Sequence, residues 1–129
     1  MAQFKIYGRI EQLRQHHRAI GDLVHRAAVR TLGLPDDKRF HRFIGLEDWQ
    51  LDAPRDRSER YLILEILMFT GRTRETRKAL VRALMEELSS GLGLAPVDIE
   101  VTLVESPREN WGIRGQHGDE LGLSYVVDV

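Results

Sequence analysis

The sequence predicts an α+β fold built from a duplicated β-α-β unit. Apolar alternation and helical periodicity follow one another in the order strand, helix, strand, and this order occurs twice. The two halves superimpose at an offset of 60 residues, which aligns Gly33 with Gly93 and Ile20 with Leu80. Two such units make a four-stranded sheet with both helices on one face.

The chain of 129 residues is long enough for one domain with a real core. We therefore expect a single domain over residues 1–129, with repeat halves at about 1–50 and 60–110. Residues 111–129 then form a C-terminal extension, which we expect to serve in oligomer contacts.

In the first half, the alternating residues 3–7 predict a half-buried strand. A helix follows, and Gly33 and Pro35 end it. Residues 40–46 predict a second strand, and the charged residues 47–60 an exposed loop. The helix stripe consists of Leu13, His17, Ile20, Val24, Ala27, Ala28 and Thr31.

In the second half, residues 61–69 are almost continuously apolar, which predicts a central strand covered on both faces. The helix that follows has one apolar side and is expected to end at Gly91 and Gly93. Residues 99–104 alternate as a fourth strand. Because two helices cover only one face of the sheet, the other face needs a second cover, and we predict a homo-oligomer.

Composition excludes several function classes. Nineteen basic against twenty acidic side chains leave no net positive charge, so we expect neither nucleic acid nor a membrane surface as a partner. The absence of cysteine excludes disulfides and sulfur-based metal sites. The histidines lack a ligand spacing, and no glycine-rich phosphate loop occurs, so we expect no metal and no cofactor. Without a signal-like N-terminus or a long apolar run, a cytoplasmic protein is expected.

The stretch FTGRTRETRK places Arg72, Arg74 and Arg77 at a predicted helix start. The first turn of a helix carries partial positive charge and favours acidic residues over arginine. One explanation is an anion site, because guanidinium and free N–H groups are both good carboxylate donors. The other is a solvated charged face.

Several segments together resemble the tautomerase superfamily, which has the oxalocrotonate tautomerase-like fold. They are VHRAAVRTLGLP, TGRTRETRKAL, LAPVDIEVTLVE and PRENWG, and the similarity is greatest to the branch of malonate semialdehyde decarboxylase-like proteins. The resemblance implies a homotrimer acting on small 2-oxo acids, enols or unsaturated carboxylates. It also implies an amino-terminal proline as acid–base catalyst and arginines that hold the substrate carboxylate.

Carried over by position, Arg72 matches the carboxylate-binding arginine of that family, and Arg74 restores an Arg-x-Arg spacing. Lys38 stands where the decarboxylase-like branch often has an aspartate; with Arg39 it either adds positive charge to the site or forms a solvated turn. Trp111 matches a family tryptophan near the site, although a lone tryptophan also suits packing. These residues are the predicted substrate-binding set.

The departure from the family is at Ala2, which stands where its members have proline. Alanine provides an ordinary primary amine with a pKa of about 7.7–8.0, and only if Met1 is removed. Burial would lower that pKa toward neutrality. With Met1 retained, the Ala2 nitrogen is an amide without basicity.

Three functions remain open. The first is an enzyme in which Ala2 and Arg72 take the catalytic positions, with tautomerase or decarboxylase-type chemistry altered by the missing proline. The second is a protein that binds small carboxylates without catalysis, and the third is a structural member of the same fold.

Overall fold

A computed structural model describes residues 1–129, and it confirms the duplicated β-α-β order. The main elements are β1 (Ala2–Arg9), α1 (Ile10–Leu32), β2 (His41–Leu46), β3 (Leu62–Phe69), α2 (Arg74–Leu92) and β4 (Ile99–Ser106). The C-terminal extension carries only two short strands, β5 (Gly112–Ile113) and β6 (Gln116–His117).

The four long strands form one mixed sheet in the order β2-β1-β3-β4. Each half pairs its own strands in parallel, as a β-α-β crossover requires, and the halves join through antiparallel β1 and β3. In that central pair Ala2 lies opposite Met68. The beginning of β1 therefore lies at the end of β3, beside the turn that leads into α2.

Both helices pack on one face of the sheet and enclose the core. The strands direct a fully buried row toward them, including Phe4, Ile6, Leu64 and Ile66. Gly93 ends α2 as expected, in a left-handed conformation with φ of 67°. The prediction that Gly91 also ends it is wrong, because Gly91 lies inside α2. A Cβ atom there would overlap Leu23 of α1, so this glycine lets the two helices approach each other.

The opposite face of the sheet has no cover within the chain. Strand β3 is central, as predicted, yet its alternate residues Ile63, Glu65 and Leu67 remain half-exposed on that face. Tyr7 and Val104 lie on the same face and add apolar surface.

The C-terminal extension returns to the sheet end where β1 begins. Val127 is buried there against Met1 and Phe69, with Trp111 and Tyr125 packed around them. This small cluster is separate from the main core and encloses the start of the chain. No helix of the structure combines the length and the apolar character needed to cross a bilayer.

His41, the first residue of β2, lies in a cluster of rings under α1. Its ring is 5.3 Å from that of Phe4 and 6.2 Å from that of His25. Burial, followed by the nearby charges of Arg39 and His25, lowers the pKa of His41 to about 4, while Asp22 opposes the shift. His25 is itself buried and hydrogen-bonds the carbonyl of Asp36 at 2.7 Å, which gives it a structural role.

This environment predicts acid sensitivity. Between pH 6.5 and about 4 the unfolded chain binds a proton at His41 that the folded chain does not, so stability falls as the pH falls. Allowing for solvent at the half-buried ring, we expect a loss of about 1–2 kcal/mol in the free energy of unfolding. Urea unfolding across that pH range measures it. The variant His41→Gln should remove this part of the slope, while His117→Gln, at an exposed ring, should retain it. Equal slopes in His41→Gln and the unaltered protein would contradict this assignment.

Candidate active site

The β3–α2 turn places Arg72 two residues before the helix. Gly71 has φ of 133°, a conformation that favours glycine, and Thr73 caps the helix by accepting a hydrogen bond from the amide of Thr76 at 3.1 Å. The helix itself begins at Arg74. Arg72 therefore precedes the cap and points into the protein, whereas sequence reasoning placed it at the helix start.

Arg72 is buried without a partner. The residue is 4% exposed, and none of its three guanidinium nitrogens makes a hydrogen bond within the chain. Arg9 and Arg57 also have a buried nitrogen without a partner, but each of these side chains forms an ion pair through another nitrogen. Burial lowers the pKa of Arg72, with Arg108 adding to the shift, but a guanidinium remains charged at neutral pH. A charged donor held in this way is suited to an external anion.

The amino group of Met1 lies beside this guanidinium. Burial, and then the positive charges of Arg72 and Arg108, lower the pKa of the Met1 amine from 8.0 to about 5. Met1 is fixed by its carbonyl, which accepts a hydrogen bond from the amide of Phe69 at 3.1 Å. Ala2 is 2% exposed and forms the first residue of β1, but with Met1 attached its nitrogen is an amide.

An aromatic wall completes this side of the site. Trp111 packs edge-on against Phe69 with ring centroids 5.1 Å apart, as a packing role predicts. Its indole nitrogen is nevertheless buried without a hydrogen-bond partner, so it adds a second unsatisfied donor. Arg108 also lies over the Phe69 ring, with its guanidinium carbon 5.6 Å from the ring centroid.

A cavity of about 40 Å³ adjoins Met1, and Lys38 is among its lining residues. Tyr125 and Arg114 line it as well. Burial raises the pKa of the Tyr125 phenol in spite of the opposing charges of Arg72 and Arg108 and the closeness of its hydroxyl to the Arg72 guanidinium. The hydroxyl therefore keeps its proton at neutral pH, and its approach to Arg72 falls short of a well-formed hydrogen bond.

The structure does not bring the other predicted cations to Arg72. Arg39 pairs with Asp22 of α1 at 2.7 Å. Arg74 is exposed and lines an open groove of about 570 Å³ between α2 and β4, as does Arg77, which pairs with Glu105 at 2.6 Å. The groove is larger than the cavity at Met1, but it holds no buried unpartnered group, and we therefore place the site at Arg72.

Only one of the two repeat halves carries such a cation. At the offset of 60 residues, the position of Arg72 corresponds to Gln12 in the first half. Gln12 is also buried, but its side-chain amide donates to the carbonyl of Arg60 at 2.7 Å. That position is thus satisfied within the chain.

Sequence reasoning did not identify three residues around Arg72. Tyr125 and Asp128 come from the C-terminal extension, which has no periodicity to locate it. Arg108 lies in PRENWG, but nothing in that motif indicates that its side chain lies near Arg72. The chain contains no group of three or more histidine, aspartate or glutamate side chains arranged to hold a metal ion.

The site therefore combines an amine of low pKa, a buried free guanidinium and unsatisfied donors against an aromatic wall. A family model described as a tautomerase enzyme matches residues 38–114, which is more than half of the chain. The protein belongs to the tautomerase family.

Curated relatives agree with the family and with the duplication. The 2-hydroxymuconate tautomerase of Pseudomonas putida is 36% identical over 58 residues, which are 45% of this chain and 92% of that protein. A 2-hydroxymuconate tautomerase of Comamonas testosteroni is 34% identical over the same fraction. One relative thus corresponds to less than half of this tautomerase-family chain, as expected for a protein with two units.

Solved structures match over most of the chain. FG41 malonate semialdehyde decarboxylase, inhibited by 3-bromopropiolate, superimposes with a TM-score of 0.75 at 27% identity, covering 84% of this chain and 86% of that one. Native fused 4-OT superimposes with a TM-score of 0.81 at 20% identity, covering 94% and 99%. The second likeness establishes the fold of this family member.

The unpaired guanidinium predicts that Arg72 lowers stability. Replacing it in Arg72→Met keeps most of the volume and removes a buried charge that no group of the chain satisfies. We expect the free energy of unfolding to rise by about 1–3 kcal/mol. Urea unfolding measures the change. Arg82→Met, at an exposed arginine of α2, should stay near the unaltered protein, and a loss of stability in Arg72→Met would show that the guanidinium is satisfied after all.

Proposed function

We propose that the protein binds a small 2-oxo, enol or unsaturated carboxylate through Arg72 and catalyses keto–enol tautomerisation. The observation that carries this proposal is the buried guanidinium of Arg72, free of partners, beside an amine of lowered pKa. A carboxylate on Arg72 would form charge-assisted hydrogen bonds where the chain provides none. The similarity to 2-hydroxymuconate tautomerase supports an enol substrate, and decarboxylase-type chemistry is the second choice.

Proton transfer needs a base that is unprotonated at neutral pH. An amine with a pKa of about 5, as on Met1, meets this condition. In ketonisation it accepts the proton of the enol hydroxyl, the C=O bond forms as the double-bond electrons shift, and the same proton then adds to carbon. Substrate and product are isomers, so the protein ends with the protons it began with. Removal of Met1 would move the amine to Ala2.

The carbonyl oxygen also needs a partner. Lys38 is suited to this role, because it lines the cavity at Met1. Arg39, in its ion pair with Asp22, and Arg74, on the outer face of α2, are less suited to this role within one chain. Trp111 would offer its indole N–H to the substrate.

A second function is favoured by Ala2. Because the secondary amine of proline is missing, the site can retain its carboxylate affinity while catalysis is lost. A protein of this kind would bind the same anions through Arg72 and leave the rate of ketonisation unchanged. A purely structural role would leave Arg72 without any ligand.

The activity prediction concerns Arg72→Met with 2-hydroxymuconate as substrate. Loss of charge-assisted hydrogen bonds of about 1.5–3 kcal/mol should lower kcat/KM by about 10- to 150-fold. The loss of the enol absorbance measures the rate, and in the unaltered protein the rate should rise with pH through about 5 and then level off. Arg82→Met provides the matched control.

Three outcomes of that experiment are informative. Equal activity in Arg72→Met and the unaltered protein would overturn the proposal. A raised melting temperature with 2-hydroxymuconate, abolished in Arg72→Met and accompanied by no turnover, would establish the binding function instead. Neither turnover nor binding would leave the structural role.

We further propose that the uncovered sheet face is buried in a homotrimer. Its apolar residues Ile63, Leu67 and Val104 are only partly covered within one chain, and structures of fused 4-OT with the same fold are described as trimers. Burial of such surface is the usual driving force for association.

This assembly predicts a mass of three chains in sedimentation equilibrium. The variant Leu67→Glu places a charge in the middle of the sheet face and should shift the protein toward monomer, because the charge would be buried without a partner. Gln15→Glu adds the same charge to the exposed side of α1 and should leave the mass unchanged. A monomeric unaltered protein, or a Leu67→Glu variant that assembles normally, would contradict the interface.

A further inference from the structure

The C-terminal segment closes the site around Met1. The cavity there measures about 40 Å³, and Leu123, Ser124 and Tyr125 form one of its walls. This space suits about one water molecule, whereas pockets for small organic ligands are typically about 300–1,000 Å³. A small dicarboxylate such as 2-oxoglutarate therefore requires part of the wall to move.

Residues 125–129 are held at the site by a few separable contacts. The amide of Thr73 donates a hydrogen bond to the main-chain oxygen of Val129 at 2.9 Å. Val127 is 3% exposed and packs on Met1 and Phe69. Asp128 pairs with Arg108 at 3.6 Å. The amide at the start of α2 is thus occupied by the chain itself.

Asp128 provides a negative charge where a ligand carboxylate would be expected. A Cβ atom on Gly71, next to Arg72, would overlap the Asp128 carboxylate, which shows how near it lies to the turn. Its charge acts on Arg72 and opposes the lowering of the pKa of that guanidinium. Yet it forms no hydrogen bond to Arg72, and its side chain is 75% exposed. Long, exposed ion pairs of this kind are weak.

We propose that residues 125–129 form a displaceable strap over the Arg72 site, in which Asp128 occupies the anion position until a substrate carboxylate replaces it. This inference rests on the proposed carboxylate-binding function. While no ligand is bound, the carboxylate of Asp128 in the strap offsets the positive charge of the site. A substrate carboxylate can form the direct hydrogen bonds to Arg72 that Asp128 does not form, so it displaces the strap rather than binding beneath it.

Hydrogen–deuterium exchange with 2-oxoglutarate as the probe tests the displacement. Ligands usually slow amide exchange around their site, but displacement of the strap should speed exchange at Thr73 and residues 127–129. Slower or unchanged exchange at these amides in the bound protein would overturn the proposal, because the segment would then close over the ligand or ignore it.

A pair of matched variants separates competition from general charge. Asp128→Asn removes the competing carboxylate, and Asp119→Asn removes the same charge from an exposed position in the same extension. We expect Asp128→Asn to bind 2-oxoglutarate about two- to fivefold more tightly in calorimetry, with Asp119→Asn unchanged. Equal affinities in Asp128→Asn and the unaltered protein, or equal gains in both variants, would overturn the role of Asp128.

Hydrogen–deuterium exchange of the ligand-free proteins tests the strap even if no carboxylate binds. Asp128→Asn alone should speed exchange at the amide of Thr73, since the ion pair to Arg108 is lost, and Asp119→Asn should not. If neither the unaltered protein nor any variant binds the probe, the proposed function fails while this exchange still decides the strap. If binding is lost in Arg72→Met but Asp128→Asn changes neither affinity nor exchange, the strap fails and the proposed function stands.

Discussion

The antiparallel pairing of β1 with β3 is the constraint on which the site depends. It joins the two repeat halves and sets Ala2 opposite Met68, so that the start of the chain meets the turn before α2. The hydrogen bond from the Phe69 amide to the Met1 carbonyl extends this pairing by one residue. An amine at the beginning of the sequence and a guanidinium more than half the chain later become neighbours through main-chain geometry alone.

The same pairing places Gln12, the repeat equivalent of Arg72, at the opposite end of the sheet. The two side chains differ in whether the chain provides a hydrogen-bond partner. Gln12 is satisfied by the carbonyl of Arg60, a residue of the segment that leads into β3. Arg72 has no such carbonyl, and its guanidinium nitrogens have no hydrogen-bond partner. The repeat thus builds two similar ends, and only one of them holds a buried polar side chain that the chain does not satisfy.

Keeping a guanidinium buried and unpaired costs free energy that folding must offset elsewhere. The main core supplies that compensation, because its rows of buried side chains fill the space between the sheet and both helices. The cluster around Phe69 is small and depends on the C-terminal extension for Val127. Stability is therefore concentrated in the duplicated unit, while the site lies at its edge under a segment with few contacts.

The duplicated fold and its central strand could be predicted from the sequence, because apolar periodicity and the spacing of glycines are local properties. The charge at the predicted helix start pointed to Arg72, Arg74 and Arg77 alike, and the family resemblance singled out Arg72 among them. Sequence patterns could not show which of Arg72, Arg74 and Arg39 is buried and which is ion-paired. Burial and ion pairing arise from contacts between distant segments of the chain. The folded chain was needed to show that Arg39 pairs with Asp22, that Arg74 faces a groove, and that Tyr125 and Asp128 lie near Arg72. The physical reason is that a non-periodic extension carries no local signal of what it packs against.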